Sequence, residues 1–83
     1  MKKHLADNNT RLCDQVKKSV ERYFRELNGE APCDVYQLVL SEVEKPLLKV
    51  VMDYADQNQS QASRILGINR NTLRKKLEIY DLG

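Results

Sequence analysis

The sequence predicts an all-α protein of four helices that ends in a helix-turn-helix, and three observations predict it. Apolar residues recur at three- and four-residue spacing in successive segments, the period of a helix face. Glycine and proline together number only five in 83 residues, with no alternating run of β-branched residues, which argues against a sandwich or barrel. Residues that cap or stop helices fall between the periodic segments rather than inside them.

The first helix carries the apolar stripe Leu12, Val16, Val20, Tyr23, Phe24 and Leu27. Lys17, Lys18, Glu21, Arg22, Arg25 and Glu26 fill its other face, and Asn28-Gly29 is its stop, because both residues tolerate a left-handed cap. After Glu30-Ala31-Pro32, Asp34 is expected to cap the second helix, with Gln37 completing a capping box. That helix, to about Ala55, holds Val35, Leu38, Val39, Leu40, Val43, Leu47, Leu48, Val50, Val51, Met52 and Tyr54, which cover most of its circumference. A helix apolar nearly all round must be buried on nearly all sides. So short a chain has little with which to cover it, and a second copy supplies the cover. Pro46 is expected to kink the helix, since it donates no hydrogen bond and crowds the carbonyl of Glu42.

Asp56-Gln57 then breaks the pattern. Asn58 caps a short third helix with Gln61 at its third position, and Ala62, Ile65 and Leu66 form the inward face. Gly67-Ile68-Asn69 is the turn, with Gly67 ending one helix, Ile68 plugging the corner and Asn69 capping the next. The fourth helix, about Arg70 to Tyr80, sets Leu73, Leu77 and Tyr80 on one stripe and surrounds it with polar and basic residues. Three parts follow: a mobile arm at 1–9, dimerisation helices at 10–57 and a helix-turn-helix unit at 58–83.

Composition removes several functions. The only histidine, His4, lies in the polar arm, so no catalytic constellation is expected and the protein reads as no enzyme. Cys13 and Cys33 are 20 residues apart without a CxxC or a histidine cluster, which excludes a zinc site. With no signal peptide legible, both are expected as free thiols packed as small hydrophobes in a reducing cytosol. No stretch approaches the roughly 20 apolar residues of a membrane span. No metal and no cofactor are expected.

Charge is informative by its distribution. Residues 1–27 hold seven Lys/Arg against four Asp/Glu, residues 28–57 two against six, and residues 58–83 five against two. A basic end thus follows an acidic middle. Two short helices around a glycine turn, the second polar and basic at its start, are the parts of a DNA-reading helix-turn-helix. Small residues at Ala62 and Ser63 let the helices approach. The second helix enters the major groove with its N-terminus leading, so Asn69, Arg70 and Asn71 lie where base edges would be. Arginine pairs bidentately with guanine and asparagine with adenine. Ser60, Thr72, Arg74, Lys75 and Lys76 suit phosphate oxygens, which set register without reading sequence.

Those residues resemble the Fis family, the factor for inversion stimulation, a class of bacterial nucleoid-associated proteins. Tyr23-Phe24 with Leu27-Asn28-Gly29, Leu38-Val39-Leu40, Glu42-Val43-Glu44 and Pro46-Leu47-Leu48 carry the resemblance, and Asn69-Arg70 with Thr72-Leu73-Arg74-Lys75-Lys76-Leu77 completes it. The C-terminal unit is also similar to the DNA-binding end of NtrC-type activators, whose large ATPase is not part of this sequence. The resemblance implies an intertwined homodimer core from the first two helices of each chain. It also implies two reading heads closer together than one DNA turn, so that bound DNA bends. It places Asn69 and Arg70 at bases, and Asn58, Ser60, Thr72, Arg74, Lys75 and Lys76 mostly at the backbone. Where the family carries further lysines this chain has Glu78 and Ile79, from which weaker wrapping of flanking DNA is expected; the short arm sets it apart from a hairpin that stimulates invertases.

The function expected is a DNA-binding and DNA-bending protein of the bacterial cytoplasm and nucleoid, modulating transcription and site-specific recombination. Its partners are double-stranded DNA with an AT-rich centre, a second copy of itself, and RNA polymerase or a DNA recombinase. Two other readings compete: a dedicated repressor of a single operator, and a helical protein–protein adaptor whose basic helix docks an acidic partner.

Overall fold

The computed structural model describes residues 11–83, and the expected arm, with His4, lies outside the described residues. Four helices and no strand are found among them: α1 (Leu12–Arg25), α2 (Val35–Tyr54), α3 (Gln59–Leu66) and α4 (Arg70–Ile79). The chain divides into two compact units, one ending at Val39 and one spanning Leu40–Gly83. No described helix is long and apolar enough to cross a membrane.

In the first unit, α1 begins without a side-chain cap but carries Asp14 in its first turn and Arg22 and Arg25 in its last, complementing the helix dipole. It ends earlier than its apolar stripe suggests, at Arg25, and the next residues form a turn in which Asn28 and Gly29 take φ +52° and +89°. The stop is where the sequence places it; the helix unwinds one turn before it. None of the α1 side chains is buried in the single chain. Tyr23 and Phe24 stack edge to face at 5.7 Å. Two expectations fail here. Asp34 takes φ +54°, not the extended backbone of a capping residue. Cys13 and Cys33 are free but exposed, their thiols turned toward Asp14 and Asp34 rather than packed among apolar groups.

In the second unit α2 continues unbroken through Pro46. Its residues Leu48, Met52 and Ala55 recur at helical spacing and form one wall of a core completed by Ala62 of α3 and Leu73 and Leu77 of α4. Val51, Leu66, Ile68, Tyr80 and Leu82 pack around it. Three helix ends in this unit close in the same way. Gln57, Ile68 and Leu82 donate their backbone N–H to the carbonyls of Met52, Ser63 and Leu77, at 2.8, 3.1 and 2.8 Å. The residue before each is left-handed: Asp56 at φ +52°, Gly67 at +76° and Asp81 at +57°. This is the Schellman ending, whose final residue commonly adds an apolar contact. Ile68 and Leu82 do so, which is why the turn after α3 and the chain's last residues lie against the core.

Candidate nucleic-acid interface

The helix-turn-helix is assembled by local chemistry. The Asn58 side chain accepts from the Gln61 N–H at 3.0 Å and starts α3. Ala62 and Ser63 are buried, and the Ser63 hydroxyl donates to the Ser60 carbonyl at 2.8 Å, so a polar group enters the contact without being left unpaired. Gly67 then turns the chain left-handed, and Asn69 starts α4 by accepting from the Asn71 N–H at 2.7 Å. One inward assignment is corrected: Ile65 is 46% exposed, and Ser63 takes the buried place beside Ala62. The axis of the α3 contact runs through the small residues, which permit close approach, and the bulkier isoleucine lies to its side.

Fixed in this way, α4 buries Leu73 and Leu77 and presents a polar surface. Asn69, Arg70, Asn71, Thr72, Arg74 and Lys75 are all exposed on it. Among the described residues no ion pair involves Arg70, Arg74 or Lys75. Asn58 and Ser60 stand at the start of α3, the first exposed and the second half-buried. The capping bonds of Asn58 and Asn69 engage their side-chain oxygens and leave the amide NH2 donors outside those bonds. At the far end of α4, Glu78 and Ile79 are exposed.

Lys76 is different from its neighbours. Its ammonium donates to Glu44 Oε2 at 2.8 Å, in an ion pair whose side chains are only 29% and 17% exposed. The other carboxylate oxygen of Glu44 accepts from Tyr80 Oη at 2.6 Å. The Lys76 hydrogen bond and then the Tyr80 hydrogen bond hold the Glu44 carboxyl below its ordinary range, and the same bond raises the Tyr80 phenol. Because the folded value of Glu44 is depressed, its stabilising contribution is present above the unfolded carboxylate value and lost as pH falls through the folded one. Sequence reasoning set Tyr80 on the inward stripe of α4 but missed Glu44 as its partner and that of Lys76; the signal available was an acidic residue one and two helical turns before the core residues Leu48 and Met52.

No group of three or more His, Cys, Asp or Glu able to hold a metal occurs among the described residues. The exposed face of α4 is basic and polar on a glycine-turn scaffold, and comparison with known proteins says to which family such a unit belongs. The family model for the bacterial regulatory protein, Fis family, matches residues 39–80, all of the helix-turn-helix and most of α2. The chain belongs to the Fis family. Members of this family are regulatory proteins, not enzymes. Over 75 residues the chain is 52% identical to the DNA-binding protein Fis of Mannheimia haemolytica, an alignment covering 90% of this chain and 76% of that one. It is 53% identical over 72 residues to the DNA-binding protein Fis of Psychromonas ingrahamii, covering 87% and 73%. With a Fis-like DNA-binding protein of Neisseria meningitidis serogroup A it shares 58% identity over 62 residues, covering 75% and 78%. These alignments reach beyond the helix-turn-helix, so the kinship with Fis proteins includes more than the reading head.

Proposed function

We propose that this Fis-family chain is a DNA-binding regulator that acts as a homodimer in the bacterial nucleoid, with α4 in the major groove. The observation that carries the reading is the exposed basic surface of α4, where Arg70, Arg74 and Lys75 form no ion pair among the described residues, on a helix capped by Asn69 and held by a buried apolar stripe. Asn69 and Arg70 face bases from the N-terminal turn, while Asn58, Ser60, Thr72, Arg74 and Lys75 hold the backbone. Lys76 shares the basic run, but its ammonium is held by Glu44. Residues 10–57 serve dimerisation and residues 58–83 DNA reading. RNA polymerase or a recombinase is a further partner in transcription and recombination, and Glu78 and Ile79 limit wrapping of flanking DNA.

Support for the dimer comes from apolar surface that a single chain leaves uncovered. Val50 and Tyr54 of α2 are 67% and 78% exposed, Leu38 and Leu47 of the same helix are exposed as well, and no α1 side chain is fully buried. Isolated apolar residues at a surface are ordinary, but an entire amphipathic helix without a buried side chain calls for a partner surface.

Two reading heads on one dimer meet successive major grooves, which straight B-DNA presents about 34 Å apart. Heads set closer than that require DNA bent toward the protein and compressed in its central minor groove. Smooth bending of such a site costs of order 1–6 kcal/mol, depending on the sequence deformed. A duplex with an AT-rich centre is therefore expected to bind more tightly than one with a GC-rich centre and unchanged outer half-sites, and circular-permutation gels are expected to report a bend. Equal affinities together with a straight complex would remove bending from the mechanism.

A further inference from the structure

The cluster of Glu44, Lys76 and Tyr80 is a part-buried ionisable network of the second unit that the DNA-reading surface does not use, and it joins α2 to α4. Its geometry is that of a two-pronged grip. Lys76 and Tyr80 are four residues apart, so their side chains lie one above the other on α4. One carboxylate meets both, Oε2 with the ammonium at 2.8 Å and Oε1 with the phenol at 2.6 Å. Glu44 stands one turn before Leu48 and two before Met52, on the α2 face that meets Leu73 and Leu77. The apolar part of that contact is not directional and by itself tolerates rotation and tilt of α4. Charge-assisted hydrogen bonds are directional and short, and a doubly accepting carboxylate fixes two points of the helix at once.

The lever matters at the other end. With 10 residues, α4 is about 15 Å long at 1.5 Å per residue. A tilt of about 10° at its C-terminal end moves its first residue by about 2–3 Å, beyond the tolerance of bidentate base contacts. The grip lies at the C-terminal end, at residues 76 and 80, and the base-facing residues at 69 and 70.

We propose that Glu44 is a positioning residue for DNA recognition: by holding Lys76 and Tyr80 it withholds Lys76 from phosphate and sets the angle at which Asn69 and Arg70 meet base edges. The proposal rests on the DNA-binding reading given above. It assigns opposite effects to two neighbouring lysines that look alike in sequence. Lys75 is exposed and counts toward phosphate neutralisation; Lys76 acts through the fold and does not.

The test compares the wild-type protein with Glu44→Gln, Lys76→Met and Tyr80→Phe by fluorescence anisotropy on a specific site and a random duplex, each across a salt series. Tyr80→Phe removes a single oxygen, so it keeps the test open if a charge-altering variant fails to fold. Glu44→Gln is expected to weaken specific binding about tenfold, the low end of what one bidentate base contact supplies. Binding to random DNA is expected to hold or strengthen, with a salt slope steeper by about 0.9 for each protomer as Lys76 is released. Lys76→Met and Tyr80→Phe are expected to reduce the specific-to-random ratio with the salt slope unchanged. Ultraviolet titration of the tyrosines checks the grip without DNA: the highest-titrating phenol of the wild type is expected to return to the ordinary range in Glu44→Gln. Equal loss on both duplexes makes the cluster a plain stabilising contact and overturns the proposal. A shallower slope in Lys76→Met makes Lys76 a phosphate ligand and overturns it as well. Wild-type protein that binds neither duplex overturns the DNA-binding reading and the proposal with it, an outcome distinct from wild-type binding that the three variants leave intact.

Discussion

Arg70→Ala is expected to cost roughly 1–3 kcal/mol on a specific site and clearly less on random DNA. The asymmetry follows from where Arg70 stands. It is the first residue of α4, exposed, next to the capping Asn69, and it takes part in no ion pair among the described residues. Its guanidinium is a rigid fork that matches guanine O6 and N7, and only that match carries sequence information. Truncation leaves Leu73 and Leu77 in place, so the scaffold and the remaining cations still hold phosphate. Competition binding with specific and random duplexes measures both losses. An equal loss on the two would make Arg70 a phosphate contact.

Unfolding is expected to be inseparable from dissociation. If α1 and the exposed side of α2 are covered by a second chain, a tenfold dilution removes about 1.4 kcal/mol of apparent stability. The melting midpoint should then fall steadily as protein is diluted through the micromolar range. The apolar surface left open in one chain, from Leu12 and Phe24 of α1 to Leu47, Val50 and Tyr54 of α2, is large for a protein this small. Melting curves followed by circular dichroism, paired with sedimentation equilibrium, decide it. A folded monomer with a midpoint independent of concentration would contradict the dimer.

What the sequence made legible was local. Asn58 and Asn69 announced α3 and α4 because an N-cap is a bond between residues two or three apart. Gly67 announced the turn because few residues adopt φ near +76° without strain. The stripe of Leu73, Leu77 and Tyr80 was readable from helical period alone. By contrast, Glu44 pairs across 32 residues with Lys76 and across 36 with Tyr80, and no pattern within one helix encodes such a contact. Lys76 read as one more phosphate contact because it follows Arg74 and Lys75, yet the helix turns it toward α2. Asp34 was misjudged because a capping box needs extended backbone at its first residue, and the chain enters α2 left-handed at Asp34. Asp56 and Asp81, too, occupy positions where glycine is the usual reading, so two of the three Schellman endings carried no glycine to reveal them.

The salt dependence of affinity for double-stranded DNA tests the central claim most directly. Each neutralised phosphate contributes about −0.9 to the slope of log affinity against log salt, so a dimer using Arg74 and Lys75 of both chains gives about −3.6. A straight line of at least that steepness, with tighter binding to an AT-rich site than to a random duplex at every salt concentration, is the predicted result. Affinity that does not change with salt, or no binding at low salt, would contradict α4 as a DNA-reading helix.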